Sequence, residues 1–247
     1  MENGLRTLWA RHFKINWKFG FFLLLIISIP RFVLVLNANQ TGNYRYIGWI
    51  MILSALVPFI FLNKYGLRQM GLTKVHKLKP VFYALISGLI ISFLLFIIGW
   101  FLYGSTFENW YVYIGKSYNI PDGIAGQEKF LLFVIMAIVA MTFSPIGEEF
   151  YFRGIVQNSF AHSIGEKKAS FIDSLAFALV HISHFGWVYV GGKWEFYFLP
   201  ALIWALSIFL TGILFFTMKK LTGSIWGAVL CHAGFNLGMI YCIFYLM

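Results

Sequence analysis

Residues 81–103 read VFYALISGLIISFLLFIIGWFLY, a run of 23 residues without a charged side chain. A helix rises about 1.5 Å per residue, so this run can cross the roughly 30 Å hydrocarbon core of a bilayer. A strand of an outer-membrane barrel would instead show about ten residues of alternating polarity. The stretch therefore predicts a transmembrane helix and sets the fold class as all-α.

The composition of the whole chain supports the same conclusion. Apolar residues make up 60% of the 247 residues and charged residues 11%, against roughly 45–50% and 25% in soluble domains. So few charges could not cover the surface of a soluble protein of this length. The basic excess lies in short segments between apolar runs, so we expect membrane lipids as partners and no nucleic acid.

Six further apolar runs lie on either side of residues 81–103. Each is long enough to predict a membrane span, and the seven spans are 19–36, 47–62, 81–103, 130–146, 169–185, 196–218 and 223–247. We therefore expect a polytopic transmembrane helix bundle of about seven to eight spans, in a single integral membrane domain over residues 1–247. An eighth span, if there is one, lies between residues 150 and 164.

The Lys and Arg residues are unevenly divided among the segments between spans. Of the 19, 14 lie in the N-terminal segment and in the segments after spans two, four and six, and four lie in the opposite loops. By the positive-inside rule this distribution predicts a cytoplasmic N-terminus. The remaining one, Arg31, lies within the first span, and we expect it to snorkel or to pair within the bundle.

Ionisable residues inside membrane spans are costly and usually functional. The run SPIGEEFYFR at residues 144–153 follows an apolar span and contains the adjacent pair Glu148 and Glu149. Neighbouring residues on a helix point about 100° apart, whereas residues four apart share a face. Arg153 can therefore hold Glu149 while Glu148 points elsewhere.

Two other predicted spans also carry polar residues four positions apart. Phe177 and His181 share a face of span five, and His232 and Asn236 share a face of span seven. Three helices thus present polar groups to the bundle interior, and we expect them to meet in the half of the membrane nearer the basic segments. Asp173 is expected to be a helix-end group, and His184 to have a structural or interfacial role.

These three motifs resemble those of a known family. Glu148-Glu149-x-x-x-Arg153, Phe177-x-x-x-His181 and His232-x-x-x-Asn236 are similar to the motifs of the CAAX protease and bacteriocin-processing (CPBP or Abi) family. The order and spacing fit as well, with 33 residues from Glu148 to His181 and 51 more to His232. The resemblance covers about residues 130–247, the motif-bearing core, and residues 1–129 match only as membrane spans.

The resemblance implies an intramembrane endopeptidase of about eight helices in a bacterial cell membrane. Its substrate would be a membrane-associated or lipidated peptide or protein. Glu148 would be the general base that activates water, with His181 assisting, and His232 and Asn236 would stabilise the oxyanion. Glu149 and Arg153 would brace the site, with Phe177 as a further supporting residue.

The sequence leaves a zinc site as an alternative to metal-free hydrolysis. Two histidines and one carboxylate bind zinc in some peptidases, and the ligands here would be Glu148, His181 and His232. However, the sequence contains no H-E-x-x-H string, and a zinc site would leave Asn236 without a role. We therefore expect no cofactor.

Two other classes of function remain open. One is a non-enzymatic bacteriocin-immunity or membrane interaction protein, in which the same motif residues serve as a scaffold. The other is a small transporter with a proton-relay carboxylate. A transporter would be expected to show internal symmetry, and the sequence contains no repeat. The intact motifs favour the enzyme.

Overall fold

The computed structural model of the protein describes residues 4–75, 78–121 and 123–247. These residues are almost entirely helical, which confirms the all-α class. The elements in chain order are α1 (Thr7–Ala10), α2 (Trp17–Leu23), α3 (Ile29–Thr41), α4 (Arg45–Phe61), α5 (Lys64–Gln69), α6 (Leu78–Tyr103), α7 (Trp110–Ser117), α8 (Gly126–Glu149), α9 (Gln157–Ile164), α10 (Glu166–His181), β1 (Trp187–Val190), β2 (Lys193–Phe196), α11 (Phe198–Thr222) and α12 (Ile225–Tyr245). Two π-helical segments, Leu24–Ser28 and Phe150–Val156, join α2 to α3 and α8 to α9.

Five helices of the described residues are long and apolar enough to cross a membrane, and the protein is an integral membrane protein. They are Trp17–Thr41, Leu78–Tyr103, Gly126–Ile164, Phe198–Thr222 and Ile225–Tyr245. The other two predicted spans correspond to shorter helices, α4 with 17 residues and α10 with 16. Residues 150–164 continue the helix of span four, so they do not form a separate eighth span.

The segments rich in Lys and Arg meet at one end of the bundle, which we call the basic end. The backbone N–H of Arg6 donates to the Phe61 carbonyl at 2.9 Å, and Lys220 pairs with Glu166 at 2.7 Å. At the opposite end, the Asn39 amide nitrogen donates to the Ser183 carbonyl at 2.8 Å. The helices therefore run between a basic and a basic-poor end, as the alternation of charge predicts.

Helix α12 lies at the centre of the bundle, and most of its side chains are buried. It packs closely against α6 through glycines on both helices. A Cβ atom on Gly88 would lie 1.8 Å from the Cys231 carbonyl oxygen, and one on Gly234 would lie 2.1 Å from the Leu85 carbonyl oxygen. Small residues of this kind let two membrane helices approach at backbone distance. Central packing fixes the positions of His232 and Asn236 on α12.

A β-hairpin that the spans did not predict follows α10. Strands β1 and β2 pair antiparallel with Val190 opposite Lys193. The turn residues Gly191 and Gly192 both have positive φ, 60° and 80°, which glycine adopts at little cost and which two-residue hairpin turns require. The hairpin is held to α7 by a hydrogen bond of 3.0 Å from the Tyr189 N–H to the Tyr113 hydroxyl.

Candidate active site

Glu148 and Glu149 end helix α8, where the chain enters the π-helical segment Phe150–Val156. Both side chains are buried, with 2% and 0% of the residue surface exposed. π-Helical segments often occur at functional sites. Because the two residues are adjacent on a helix, their carboxylates point to different sides and contact different partners.

The Glu148 carboxylate is held mainly through one of its two oxygens. The Arg31 Nη2 atom lies 3.0 Å from Oε1, and the Ser144 hydroxyl donates to the same oxygen at 2.5 Å. The other oxygen, Oε2, has no hydrogen-bond partner among the described residues. His181 Nε2 lies 3.4 Å from Oε2. Glu148 is therefore held at one oxygen, while the other is buried without a hydrogen-bond partner in the described part of the chain.

The orientation of His181 is set by its own helix. Its Nδ1 atom lies 2.7 Å from the Phe177 carbonyl oxygen, which can only accept a hydrogen bond, so Nδ1 carries the proton. In the neutral ring Nε2 then has a free lone pair. This lone pair and Glu148 Oε2 are two acceptors, 3.4 Å apart, that face each other.

The Glu149 carboxylate belongs to a separate buried network. Its Oε1 atom accepts from His232 Nδ1 at 2.8 Å and lies 3.4 Å from Arg153 Nη1. The Arg153 Nε atom lies 3.4 Å from Asp173 Oδ2. Glu149, Arg153 and Asp173 are each 0% exposed. The network connects α8, the π-helical segment, α10 and α12.

Aromatic rings enclose this network. The Arg153 guanidinium lies 4.1 Å from the centroid of the Phe177 ring, and the Phe215 ring stacks on His232 at 4.7 Å. Phe177 also packs against the His181 ring at 4.2 Å. A Cβ atom on Gly212 would lie 2.7 Å from Arg153 Nη2. The lack of a side chain at residue 212 thus makes room for the guanidinium.

Asn236 lies one helical turn beyond His232 on α12. Its Nδ2 atom donates to the Ala140 carbonyl of α8 at 2.8 Å. An amide nitrogen carries two protons, so this bond orients the side chain and leaves one donor. The bond also ties α12 to the helix that carries Glu148.

Glu148, His181, His232 and Asn236 line a cavity of about 510 Å³ inside the bundle. Much of its wall is apolar, and the polar part includes Arg31, Ser144, Glu148, His181, His232 and Asn236. Tyr44, in the loop before α4, also contributes to the wall, and burial raises its pKa to about 12. Its hydroxyl is therefore neutral at physiological pH. The cavity is an apolar chamber with a compact polar wall.

The structure brings together the four residues that the sequence selected as catalytic candidates. It also adds Arg31 and Ser144, which the sequence reasoning did not include in the site. A signal was present for both, since Arg31 is a charge within a span and Ser144 lies four residues before Glu148. Arg31 pairs with Glu148 within the bundle, which is one of the two outcomes that the sequence predicted for it.

Two further expectations concern α10. Asp173 was expected to be a helix-end group, and that expectation is wrong, because its side chain is buried and pairs with Arg153. His184 lines the same cavity and stacks on the His181 ring at 5.3 Å. It therefore contacts a candidate catalytic residue as well as the wall of the chamber.

The donor set does not fit the zinc site that the sequence left as an alternative. Both His181 and His232 have one ring nitrogen bonded to an oxygen, as zinc-ligating histidines usually do. However, the described residues contain no group of three or more His, Cys, Asp or Glu side chains that could hold a metal ion. The Arg31 cation on Glu148 would also repel a second cation at that carboxylate.

Comparison with known proteins identifies a related family. A model of the family described as "Type II CAAX prenyl endopeptidase Rce1-like" matches residues 130–238, which contain all three motifs. A search of curated proteins and a search of solved structures found no match to the chain. At the level of the family, the match supports a CAAX-type membrane protease. The resemblance predicted from the three motifs is therefore confirmed, and residues 130–238 of this chain are similar to the CAAX protease family.

Proposed function

We propose that this protein is an intramembrane endopeptidase that hydrolyses a peptide bond with a glutamate-activated water. One observation carries the proposal: Glu148 Oε2 and His181 Nε2 are two facing acceptors inside a cavity within the bundle. A single water can donate one hydrogen to each of them. Such a water has its lone pairs directed away from both acceptors and toward a substrate carbonyl.

The hydrolytic step needs only groups of this chain. The water oxygen forms a bond to the carbonyl carbon while its proton moves to Glu148 Oε2. The tetrahedral intermediate then collapses, the C–N bond breaks, and the Glu148 proton passes to the departing amine. Arg31 and Ser144 hold Oε1, so the same oxygen, Oε2, takes and returns the proton.

His232 and Asn236 are proposed to stabilise the oxyanion. Asn236 has one N–H left after its bond to Ala140, and this N–H is the first donor. His232 Nδ1 donates to Glu149, so His232 supplies a second donor from Nε2 when its ring is protonated. Donors fixed in this way before the reaction stabilise the developing charge without reorganisation.

The surroundings of the site favour an apolar substrate. The largely apolar wall of the cavity suits a membrane-associated or lipidated peptide, and the matching family is described as a prenyl endopeptidase. The function can be tested with the full chain reconstituted in liposomes and a farnesylated peptide ending in a CAAX sequence. We expect cleavage by the wild type and by Glu128→Ala, an exposed control on α8, and none by Glu148→Ala.

Substrates can also be sought in cell membranes that carry the wild type, Glu128→Ala or Glu148→Ala. Mass spectrometry of peptide termini should reveal ends present with the wild type and Glu128→Ala and missing with Glu148→Ala. Identical termini in all three membranes, together with an uncleaved farnesylated peptide, would contradict the endopeptidase and favour the non-enzymatic interaction protein.

We also propose that hydrolysis requires no bound metal. Purified protein treated with a tight chelator and checked for zinc by elemental analysis should keep its cleavage rate. If activity is lost with the zinc and returns with stoichiometric zinc, the metal-free mechanism is wrong. Glu148, His181 and His232 would then be the ligand candidates.

The basic end of the bundle is proposed to lie in the cytoplasm, with the N-terminus on the same side. The charge distribution supports this orientation. A topology reporter fused at Asn43 should show that this residue lies outside the cell. A topology reporter fused at Lys74 should show that this residue lies in the cytoplasm. The opposite pattern would show that the protein has the reverse orientation in the membrane.

A further inference from the structure

A second cavity of about 240 Å³ lies at the basic end of the bundle. It is formed by α5, the chain around Gly71 and Thr73, the start of α9 and the junction between α11 and α12. None of its lining residues contributes to the cavity of the candidate active site. In contrast to that chamber, about half of its wall is polar. This second cavity is separate from the candidate active site and plays no part in the proposed hydrolysis.

Positive charge dominates the wall of this second cavity. Arg68, Lys219 and Lys220 line it together with one carboxylate, Glu166. Glu166 is paired with Lys220 at 2.7 Å, and both side chains are largely exposed. Lys219 donates to the Gln157 side-chain oxygen at 3.2 Å and to the Arg153 carbonyl. Within the described part of the chain the Arg68 side chain has no ion-pair or hydrogen-bond partner.

An enclosed donor in the same wall also lacks an acceptor. The Nδ2 atom of Asn158 is shielded from solvent and makes no hydrogen bond to any described residue. An amide nitrogen is a donor only, and a shielded donor without an acceptor destabilises the folded protein. A ligand rich in acceptor atoms would satisfy it.

We propose that this cavity binds a phosphate group. A phosphate presents several charged acceptor oxygens, and the wall offers an unpartnered guanidinium and two ammonium groups beside the Asn158 side chain. Arginine in particular binds phosphate through two parallel N–H bonds. The group is supplied either by the head of an anionic lipid or by soluble phosphate, because the cavity lies at the predicted membrane surface. Lys219 also donates to the backbone carbonyl of Arg153, whose guanidinium belongs to the buried network of Glu149.

The first test uses the purified full chain in detergent, titrated with inorganic phosphate at constant ionic strength. Calorimetry and the midpoint of thermal unfolding both report binding. We expect saturable binding by the wild type, weakened roughly tenfold or more in Arg68→Gln and in Asn158→Ala, since charged hydrogen bonds contribute about 1.5–3 kcal/mol. Lys64→Gln, which removes a charge from the same helix outside the cavity, should bind as the wild type does.

The second test distinguishes the two sources of phosphate. The same four proteins are placed in nanodiscs of phosphatidylcholine, with or without phosphatidic acid. A rise in the unfolding midpoint with phosphatidic acid, lost in Arg68→Gln and kept in Lys64→Gln, assigns the site to a lipid head. Saturable binding of inorganic phosphate without that rise assigns it to a soluble phosphate. No response to either probe, or equal responses in all four proteins, would overturn the proposal.

Discussion

Glu148 and Glu149 are neighbours in the chain, yet Glu148 lines a cavity and Glu149 does not. Glu149 lies in a closed network in which Arg153 and His232 contact its Oε1 atom and Asp173 shares the arginine. Glu148 lies in the wall of a cavity, where Arg31 and Ser144 hold one oxygen and the other has no hydrogen-bond partner among the described residues. In each carboxylate Oε2 has no hydrogen-bond partner among the described residues. Of the two, only Glu148 lines the cavity, so only Glu148 is placed to exchange a proton with a water bound there. Two identical side chains thus differ in function because of what surrounds them.

The sharpest test of this difference is Glu148→Gln. The glutamine keeps the shape and the contacts of Oε1 but cannot accept a proton, so cleavage should fall by about 10²–10⁴-fold. Initial rates on a peptide that the wild type cleaves, measured in liposomes, give the effect. The substitution also leaves the Arg31 cation without its buried partner, so the thermal unfolding midpoint should fall below that of Glu128→Gln, an exposed control, and rates are compared per amount of folded protein. A fully active Glu148→Gln protein would exclude Glu148 as the base.

Glu149→Gln should act mainly on the folded state. Removing one partner of a buried pair costs about 3–5 kcal/mol, because the other charge stays buried without compensation. We expect a lower yield of folded protein and a lower unfolding midpoint, together with reduced activity. The matched control is Glu166→Gln, which removes an exposed pair with Lys220 and should cost about 0–1 kcal/mol. Equal stability of the two variants would show that the Glu149 network does not stabilise the folded protein.

Asn236→Ala tests the proposed oxyanion donor on α12. Loss of one oxyanion donor typically lowers turnover by about 10²–10³-fold. The variant should remain folded, and KM should change less than kcat. His232→Ala should behave in the same way, and the double variant should be little worse than the worse single variant, because residues that act as a unit are not additive. Fully additive losses would assign the two residues to separate tasks.

The smallest of these effects is expected for the coupling free energy between Arg31 and Glu148, which lie on two different helices. In a double-mutant cycle with Arg31→Gln and Glu148→Gln, contacting groups typically differ from additivity by about 0.5–3 kcal/mol. Arg31→Gln alone leaves a buried carboxylate unpaired, so the double variant should unfold at a higher temperature than Arg31→Gln. Additive changes in unfolding free energy would contradict the direct pairing of the two side chains.

The features that the sequence determined by itself are those set by spacing along one helix. Long apolar runs predicted the membrane bundle, because a helix needs about 20 apolar residues to cross the bilayer. The i, i+4 spacing predicted that Arg153 pairs with Glu149 and that Glu148 points elsewhere, since those directions follow from the helix period alone. The pair Gly191 and Gly192 is also a sequence signal for a hairpin turn, although the seven predicted spans did not include a hairpin.

Contacts between helices were decided only by the tertiary structure. The pairing of Arg31 with Glu148, of His232 with Glu149 and of Asp173 with Arg153 each joins segments distant in sequence. Such contacts depend on how each helix is rotated and tilted, and hence on close packing such as that at Gly88 and Gly234. The sequence named the groups of the candidate site, but only packing decided which carboxylate lines the cavity and which belongs to the buried network.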